Sequence, residues 1–363
     1  MKIKNLVQKE VRNLSSYEVK TILEKKTDKR IIKMNLNENF AISKDAINNL
    51  LMETCKSIDV RSYPPPRGIM AVEAIANFVG FDESEISVAN GADELMDLLM
   101  KVFIRNQSKV IIVEPSFPMY TFFTELYGGK KVTIMLKRDF SLNIDSILKR
   151  ADKETKLLFI CSPNNPTGNQ FKDSEIKTLL EEFKGIVVVD EAYGDFASNS
   201  IIKYVRDYDN LVLLRSFSKA FGLAGLRLGY LVSSKHIVKY VQRVMGPFNV
   251  NSVTQQTIVS ALKNWNFFKN QIDIVINERI WLMDNLKQID GIDPYPSDAN
   301  FILFKVSRDK LNSNALTERL EKRKVLVKDR GHLQLLENCI RVTIGSRKMN
   351  QAFLSALKAS LEE

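Results

Sequence analysis

The densest chemistry in the chain lies in Ser216-Phe-Ser-Lys219-Ala-Phe-Gly222-Leu-Ala-Gly225-Leu-Arg227-Leu-Gly229-Tyr230, which opens where a Leu- and Val-rich run ends. A lysine set among small hydroxyl residues and glycines at the carboxyl end of a sheet strand can be desolvated and held beside an anion. Such an amine can form a Schiff base with an aldehyde. The hydroxyls of Ser216 and Ser218 and the planar fork of Arg227 suit a phosphate. Taken alone, the same letters also fit a surface lysine ahead of a flexible glycine loop, because short patterns match by chance.

Four other segments carry chemistry. Pro163-Asn-Asn165-Pro166-Thr167-Gly168 follows the run KLLFIC, so its turn falls at a sheet edge where Asn165 can donate to a phenolate oxygen; an ordinary Asn-Pro turn reads the same way. Asp190 ends the apolar run GIVVVD, and a buried carboxylate there demands a cation. A pyridinium nitrogen or a structural ion pair meets that demand equally, and Tyr193 is placed to reach the same ligand. Gly91, Ala92 and Asp93 open an apolar helix after Asn90, offering free amides to a phosphate or, alternatively, a cap through Asp93. Phe117, after the run VIIVEP, can stack on a planar ring with Tyr120 bonding nearby; a core aromatic has the same signature.

The elements that must hold these residues are visible as short runs: KVIIVEP, KVTIML, KLLFICSP, GIVVVDEAY, NLVLLRSFS and RLGYLVSS. Their length and Val/Ile/Leu content predict strands buried on both faces. Helical periodicity between them, at residues 91 to 103 and 172 to 183, predicts an α/β fold with a mostly parallel sheet flanked by helices. Beyond residue 236 the pattern changes to long amphipathic helices up to about 288, then FILFKV, a helix near 312 to 322, KVLVKD and CIRVTIG. A large domain at 41–245 and a smaller α/β domain from 1–40 and 246–363 are expected, with the first forty residues packing on the C-terminal unit.

Composition narrows the chemistry further. The chain has 363 residues, 45% hydrophobic and 26% charged, as a globular protein should. Two histidines exclude a site built on several imidazoles, and three scattered cysteines support neither a disulfide framework nor a metal cluster. Neither a signal-peptide core nor a long apolar run is visible, so no membrane association and a cytoplasmic location are expected. The net charge of +10 is spread along polar helix faces without a basic block, which argues against nucleic acid as a partner.

Taken together, Gly91-Ala-Asp, Phe117, Asn165, Asp190, Tyr193, Lys219 and Arg227 resemble, in order and spacing, the fold-type I pyridoxal-phosphate-dependent aminotransferases across nearly the whole chain. Within that superfamily the chain is most similar to the histidinol-phosphate aminotransferase family. The residues carrying this likeness are Ser15-Ser-Tyr17, Leu36-Asn37-Glu38-Asn39, Tyr63-Pro64, the Lys219 segment, and Cys-Ile-Arg341-Val-Thr-Ile-Gly345. The resemblance implies pyridoxal 5′-phosphate as cofactor, Lys219 as its covalent anchor and proton carrier, and Asp190 on the pyridine nitrogen. It places Asn165 and Tyr193 on the ring oxygen, and Gly91, Ala92, Asp93, Ser216, Ser218 and Arg227 at the phosphate. It also implies a homodimer whose Tyr63 reaches the neighbouring site, with Tyr17, Asn37, Lys328 and Arg341 meeting the substrate.

The expected reaction exchanges an amino group between L-histidinol phosphate and 2-oxoglutarate. Alternatives on the same fold are an aromatic amino acid aminotransferase or a decarboxylase of a phosphorylated amino acid; one of another class is a non-catalytic binding protein. Three departures from the family pattern stand out: Pro65-Pro66-Arg67 after Tyr63-Pro64, Ala92 where the family has serine, and Lys328 where it has arginine.

Overall fold

The computed structural model describes residues 3–14 and 30–363. Its largest sheet has seven strands: β1 (Ile86–Ala89), β2 (Lys109–Glu114), β3 (Lys130–Met135), β4 (Thr155–Cys161), β5 (Ile186–Asp190), β6 (Leu211–Ser216) and β7 (Gly229–Ser233). They lie side by side as β1-β7-β6-β5-β4-β2-β3. Alternation of side chains explains the apolar runs: Val187 and Val189 of β5 enter one core, while Val188 enters the other with Phe159 and Leu214. Helices Gly91–Phe103, Met119–Leu126 and Lys235–Val244 cover the second face.

The six strands other than β7 run parallel, and β7 pairs antiparallel with both β1 and β6. The reason is the connection. A parallel return needs a crossover of about a dozen residues or more, usually helical. Residues 217–228 between β6 and β7 are about that long, but their only helical element is the 3-10 turn Ala224–Leu226; with no crossover helix, the chain doubles back.

A second sheet, fully antiparallel, contains β8 (Ile292–Pro294), β9 (Phe301–Val306), β10 (Lys328–Asp329) and β11 (Cys339–Thr343) in the order β10-β11-β9-β8. The run KVLVKD does not form one strand. Val325–Leu326 pairs in parallel with Ile32–Lys33, and β10 pairs with β11. The long helices expected up to 288 are Lys235–Val244, Ser252–Lys263 and Trp265–Lys287.

Residues 32–37 follow the second sheet, with the Met34 amide donating to the Leu326 carbonyl and the Thr343 amide to the Met34 carbonyl, both at 2.9 Å. The helix Lys9–Asn13 lies elsewhere, against Met119–Leu126 of the large sheet's cover. Gly128 makes room for it: a β-carbon there would come 3.3 Å from Glu10 Cγ. Within the described part of the first forty residues, two segments thus lie against different layers. Among the described residues no helix is long and apolar enough to cross a membrane.

Candidate active site

Parallel strands end at one edge of a sheet, and here those ends collect the reactive side chains. Cys161 of β4 lies in register with Asp190 of β5, and Ser216 of β6 with Gly229 of β7, which in turn faces Ala89 of β1. A pocket at this edge is lined by Ala92, Asp93, Phe117, Asn165, Asp190, Tyr193, Ser216, Ser218, Lys219 and Arg227, together with Cys161 and Ala192. Ten expected residues thus meet in one place from five separate segments.

One end of the pocket is built for an anion. Gly91 opens the helix Gly91–Phe103 with φ +82°, and a β-carbon on it would sit 2.5 Å from Arg227 Nη2. Only glycine lets the guanidinium come so close to the helix start, where free amides and the helix dipole favour negative charge. Arg227 donates to Asp93 Oδ2 at 3.0 Å and to Ser218 Oγ at 3.4 Å, and the Ser218 amide donates to Ser216 Oγ at 3.2 Å. Asp93 is not the helix cap that the sequence left open: its carboxylate holds Arg227, while Glu94 accepts from the Asn90 amide at 2.5 Å. Ala92, lacking a hydroxyl, brings its backbone to the pocket.

Asp190 occupies the other end. Its Oδ2 accepts from the Tyr120 hydroxyl at 2.7 Å and its Oδ1 from the Ala192 amide at 3.0 Å. Both partners are neutral, so the structural ion pair considered for this carboxylate does not form with either of them. Burial pushes its pKa up to about 6, while the Tyr120 hydroxyl and the Ala192 amide pull it back down. Phe117 lines the same pocket, its ring edge-on to Tyr120 with the centroids 5.7 Å apart.

Lys219 lies in the middle. Its Nζ donates to the Leu36 carbonyl at 3.1 Å and sits 5.8 Å from the centre of the Tyr193 ring. Burial, reinforced by the positive charge of Arg341, brings its pKa down to about 8. The Tyr193 hydroxyl accepts from Asn37 Nδ2 at 3.0 Å and from Asn165 Nδ2 at 3.4 Å, and burial pushes its pKa up to about 12.

The second sheet closes the site. Arg341 of β11 donates to Asn165 Oδ1 and to the Asn35 carbonyl, each at 2.6 Å. Asn37, at φ +56°, is fixed by Thr343, whose hydroxyl donates to Asn37 Oδ1 at 3.1 Å and accepts from its amide at 3.0 Å. Lys328 of β10 is the register partner of Arg341. Directly opposed residues of an antiparallel pair share a face, so the two cations lie on the same side of the sheet.

Tyr63 stands apart from the pocket, 82% exposed, its ring stacked on Phe248 at 4.7 Å. Tyr17 falls outside the described residues. Sequence reasoning did not find the carbonyls of Asn35 and Leu36, which have no side-chain signature, nor Thr343. Cys161 was read only as one of three scattered cysteines, although its place at the end of an apolar run was the same signal that marked Asp190.

An anion cradle, a flat aromatic wall, a central amine of lowered pKa and a buried carboxylate at the far end form a donor set that fits pyridoxal 5′-phosphate. The sequence matches the family described as aminotransferase class I and II over residues 14–357. The chain belongs to the class I and II aminotransferases. Among similar proteins, this aminotransferase is 35% identical to a histidinol-phosphate aminotransferase of Caldanaerobacter subterraneus subsp. tengcongensis, covering 99% of both chains. It is 36% identical to one of Thermoanaerobacter pseudethanolicus, again over 99% of both. A crystal structure of the Sinorhizobium meliloti histidinol-phosphate aminotransferase in complex with pyridoxal-5′-phosphate superposes with a TM-score of 0.88 at 20% identity, covering 98% of this chain and 97% of that one. The aminotransferase thus has the fold-type I architecture, and the antiparallel β7 within a parallel sheet is part of it.

Proposed function

We propose that this aminotransferase moves the amino group of L-histidinol phosphate to 2-oxoglutarate, giving imidazole acetol phosphate and glutamate, with pyridoxal 5′-phosphate held at Lys219. The observation that carries the reading is similarity at 35% identity along 99% of both chains to a protein of that name. The pair of cations Arg341 and Lys328 on neighbouring strands supports it, because both 2-oxoglutarate and a phosphorylated amine bring anions to the site.

Bound in the pocket, the cofactor supplies an aldehyde carbon for amino groups and a ring that accepts electrons. Everything else falls to the chain. Ser216, Ser218, Arg227 and the helix amides hold a phosphate. Asp190 keeps a ring nitrogen protonated, and Phe117 restrains a ring face. Tyr193 and Asn165 hold a ring oxygen. The Lys219 amine, with its pKa near 8, anchors the cofactor and, when free, takes the proton from the substrate Cα. Arg341 grips the α-carboxylate of glutamate, while Lys328 and Asn37 face the remainder of the amino donor.

The same reading makes the enzyme a homodimer. Tyr63 is exposed, beside exposed Val60 and Phe248, and the prolines that follow it keep the segment out of an α-helix up to the 3-10 turn Pro66–Gly68, as suits an arm reaching a neighbouring subunit's cofactor phosphate. It also places the enzyme in the cytoplasm, where charged substrates that do not cross lipid unaided are retained.

Coupled assay of an amino-donor panel tests the proposal. L-Histidinol phosphate should give the highest kcat/KM with 2-oxoglutarate as acceptor. Faster turnover of phenylalanine or tyrosine, or release of carbon dioxide from a phosphorylated amino acid, would assign one of the alternative reactions instead.

A further inference from the structure

We propose that Tyr120 is a positioning residue that sets the Asp190 carboxylate and the Phe117 ring together, and so fixes how the cofactor ring is held at its nitrogen end and on its face. The inference rests on the reading that Asp190 meets the pyridine nitrogen.

Tyr120 belongs to the helix Met119–Leu126, directly after β2, and is fully buried. Its ring stacks on Phe159 of β4 at 4.8 Å and 15°, and meets Phe117 edge-on at 83°. Those contacts need only a phenyl group. The hydroxyl is a further cost, since a buried oxygen must recover the hydrogen bonds it loses from water. It does so with a short bond to Asp190 Oδ2, across seventy residues of sequence. Each carboxylate oxygen can accept more than one hydrogen. With Tyr120 on Oδ2 and the Ala192 amide on Oδ1, the carboxylate is oriented and still has acceptor capacity for a third donor.

The hydroxyl also bears on charge. Titratable groups acting on Asp190 are Tyr120, Cys161 of β4, Asp93 of the Gly91–Phe103 helix, and Glu191 and Tyr193 on its own segment. Glu191 is neutralised by Arg215 at 2.7 Å and Asp93 by Arg227 at 3.0 Å. Burial favours the protonated acid; the donated hydrogen bond from Tyr120 favours the carboxylate. A bond to a charged acceptor is worth roughly a 10- to 100-fold factor in equilibrium.

The experiment is a double-mutant cycle on pyridoxal 5′-phosphate binding, using apoenzyme of the wild type, Tyr120→Phe, Asp190→Asn and the double variant, titrated from pH 5.5 to 9. Tyr120→Phe keeps the ring and its stacking. It should weaken cofactor binding about tenfold and move the acid limb of the binding profile upward by about one pH unit, because Asp190 then protonates more readily. In the Asp190→Asn background the same change should cost less than about twofold, since no carboxylate remains to be held. Equal losses in both backgrounds would reduce Tyr120 to a packing residue. An unshifted acid limb with wild-type affinity in Tyr120→Phe, beside strong loss in Asp190→Asn, would overturn the inference and leave the reading of Asp190 standing. Wild-type binding and turnover in Asp190→Asn would overturn that parent reading and this inference with it.

Discussion

Arg341 Nη1 donates to Asn165 Oδ1 at 2.6 Å, which ties the second sheet to the turn after β4 at the mouth of the pocket. The same Asn165 donates through Nδ2 to the Tyr193 hydroxyl, so the residue suited to a carboxylate and the residues suited to the ring oxygen form one chain of hydrogen bonds. In the proposed reaction, substrate contact at Arg341 would thereby be coupled to the geometry around the cofactor.

Replacing Arg341 with lysine should expose that coupling. Lysine keeps the charge but loses the planar fork that bonds Asn165 and the Asn35 carbonyl together. KM for glutamate should rise by about tenfold or more, with a smaller fall in kcat, while the affinity for pyridoxal 5′-phosphate changes little. Steady-state kinetics with a parallel cofactor titration separate the two effects; a defect confined to cofactor binding would contradict the role given to Arg341.

The lowered pKa of Lys219 gives a pH dependence with a definite sign. The free amine is the nucleophile, so capture of pyridoxal 5′-phosphate by apoenzyme should speed up as pH rises through about 8, well below the usual lysine value. Stopped-flow absorbance measures this directly. For stability the sign follows from the same shift: a depressed folded pKa favours the folded apoprotein at high pH, and that contribution is lost as pH falls through about 8. A midpoint for capture above pH 10 would mean that burial does not control this amine.

Lysine at position 328 supplies charge without the bidentate geometry of arginine. Lys328→Met should raise KM for L-histidinol phosphate roughly 10- to 100-fold, the size of a charge-assisted contact, and leave an aromatic amino acid much less affected. Equal effects on both donors would place Lys328 outside the phosphate contact.

How much of this was legible in the sequence depended on where each signal lay. Asp190, Asn165 and Lys219 each stand at or just after the end of an apolar run, so residue type and strand end together marked the pocket. Gly91 was legible because a glycine at a helix start lets a phosphate approach the backbone closely, and its φ of +82° is a second reason for glycine there. The bond between Tyr120 and Asp190 was not legible, because it joins residues that only the folded sheet brings together. The carbonyls of Asn35 and Leu36 leave no trace in a sequence. The antiparallel course of β7 depends on a connection without a crossover helix, and the split of KVLVKD depends on Ile32–Lys33 pairing with its first half. Neither is a property of the run itself.

Tyr63 offers a test of shared sites. Tyr63→Phe and Lys219→Ala subunits are each impaired alone, and a mixed dimer built as proposed has one site with both defects and one with neither. Co-refolding equal amounts should restore up to about a quarter of wild-type activity, given random pairing and half of the dimers mixed. Activity that simply follows the Tyr63→Phe content would place Tyr63 in its own subunit's site or outside any site.

The central claim is that Lys219 is the covalent anchor, and borohydride reduction followed by peptide mass spectrometry tests it most directly. Holoenzyme treated with borohydride should carry one phosphopyridoxyl group per chain, on the peptide containing Lys219, and Lys219→Ala should carry none there and lose turnover by several orders of magnitude. A stable adduct on another lysine, or normal turnover in Lys219→Ala, would contradict the account.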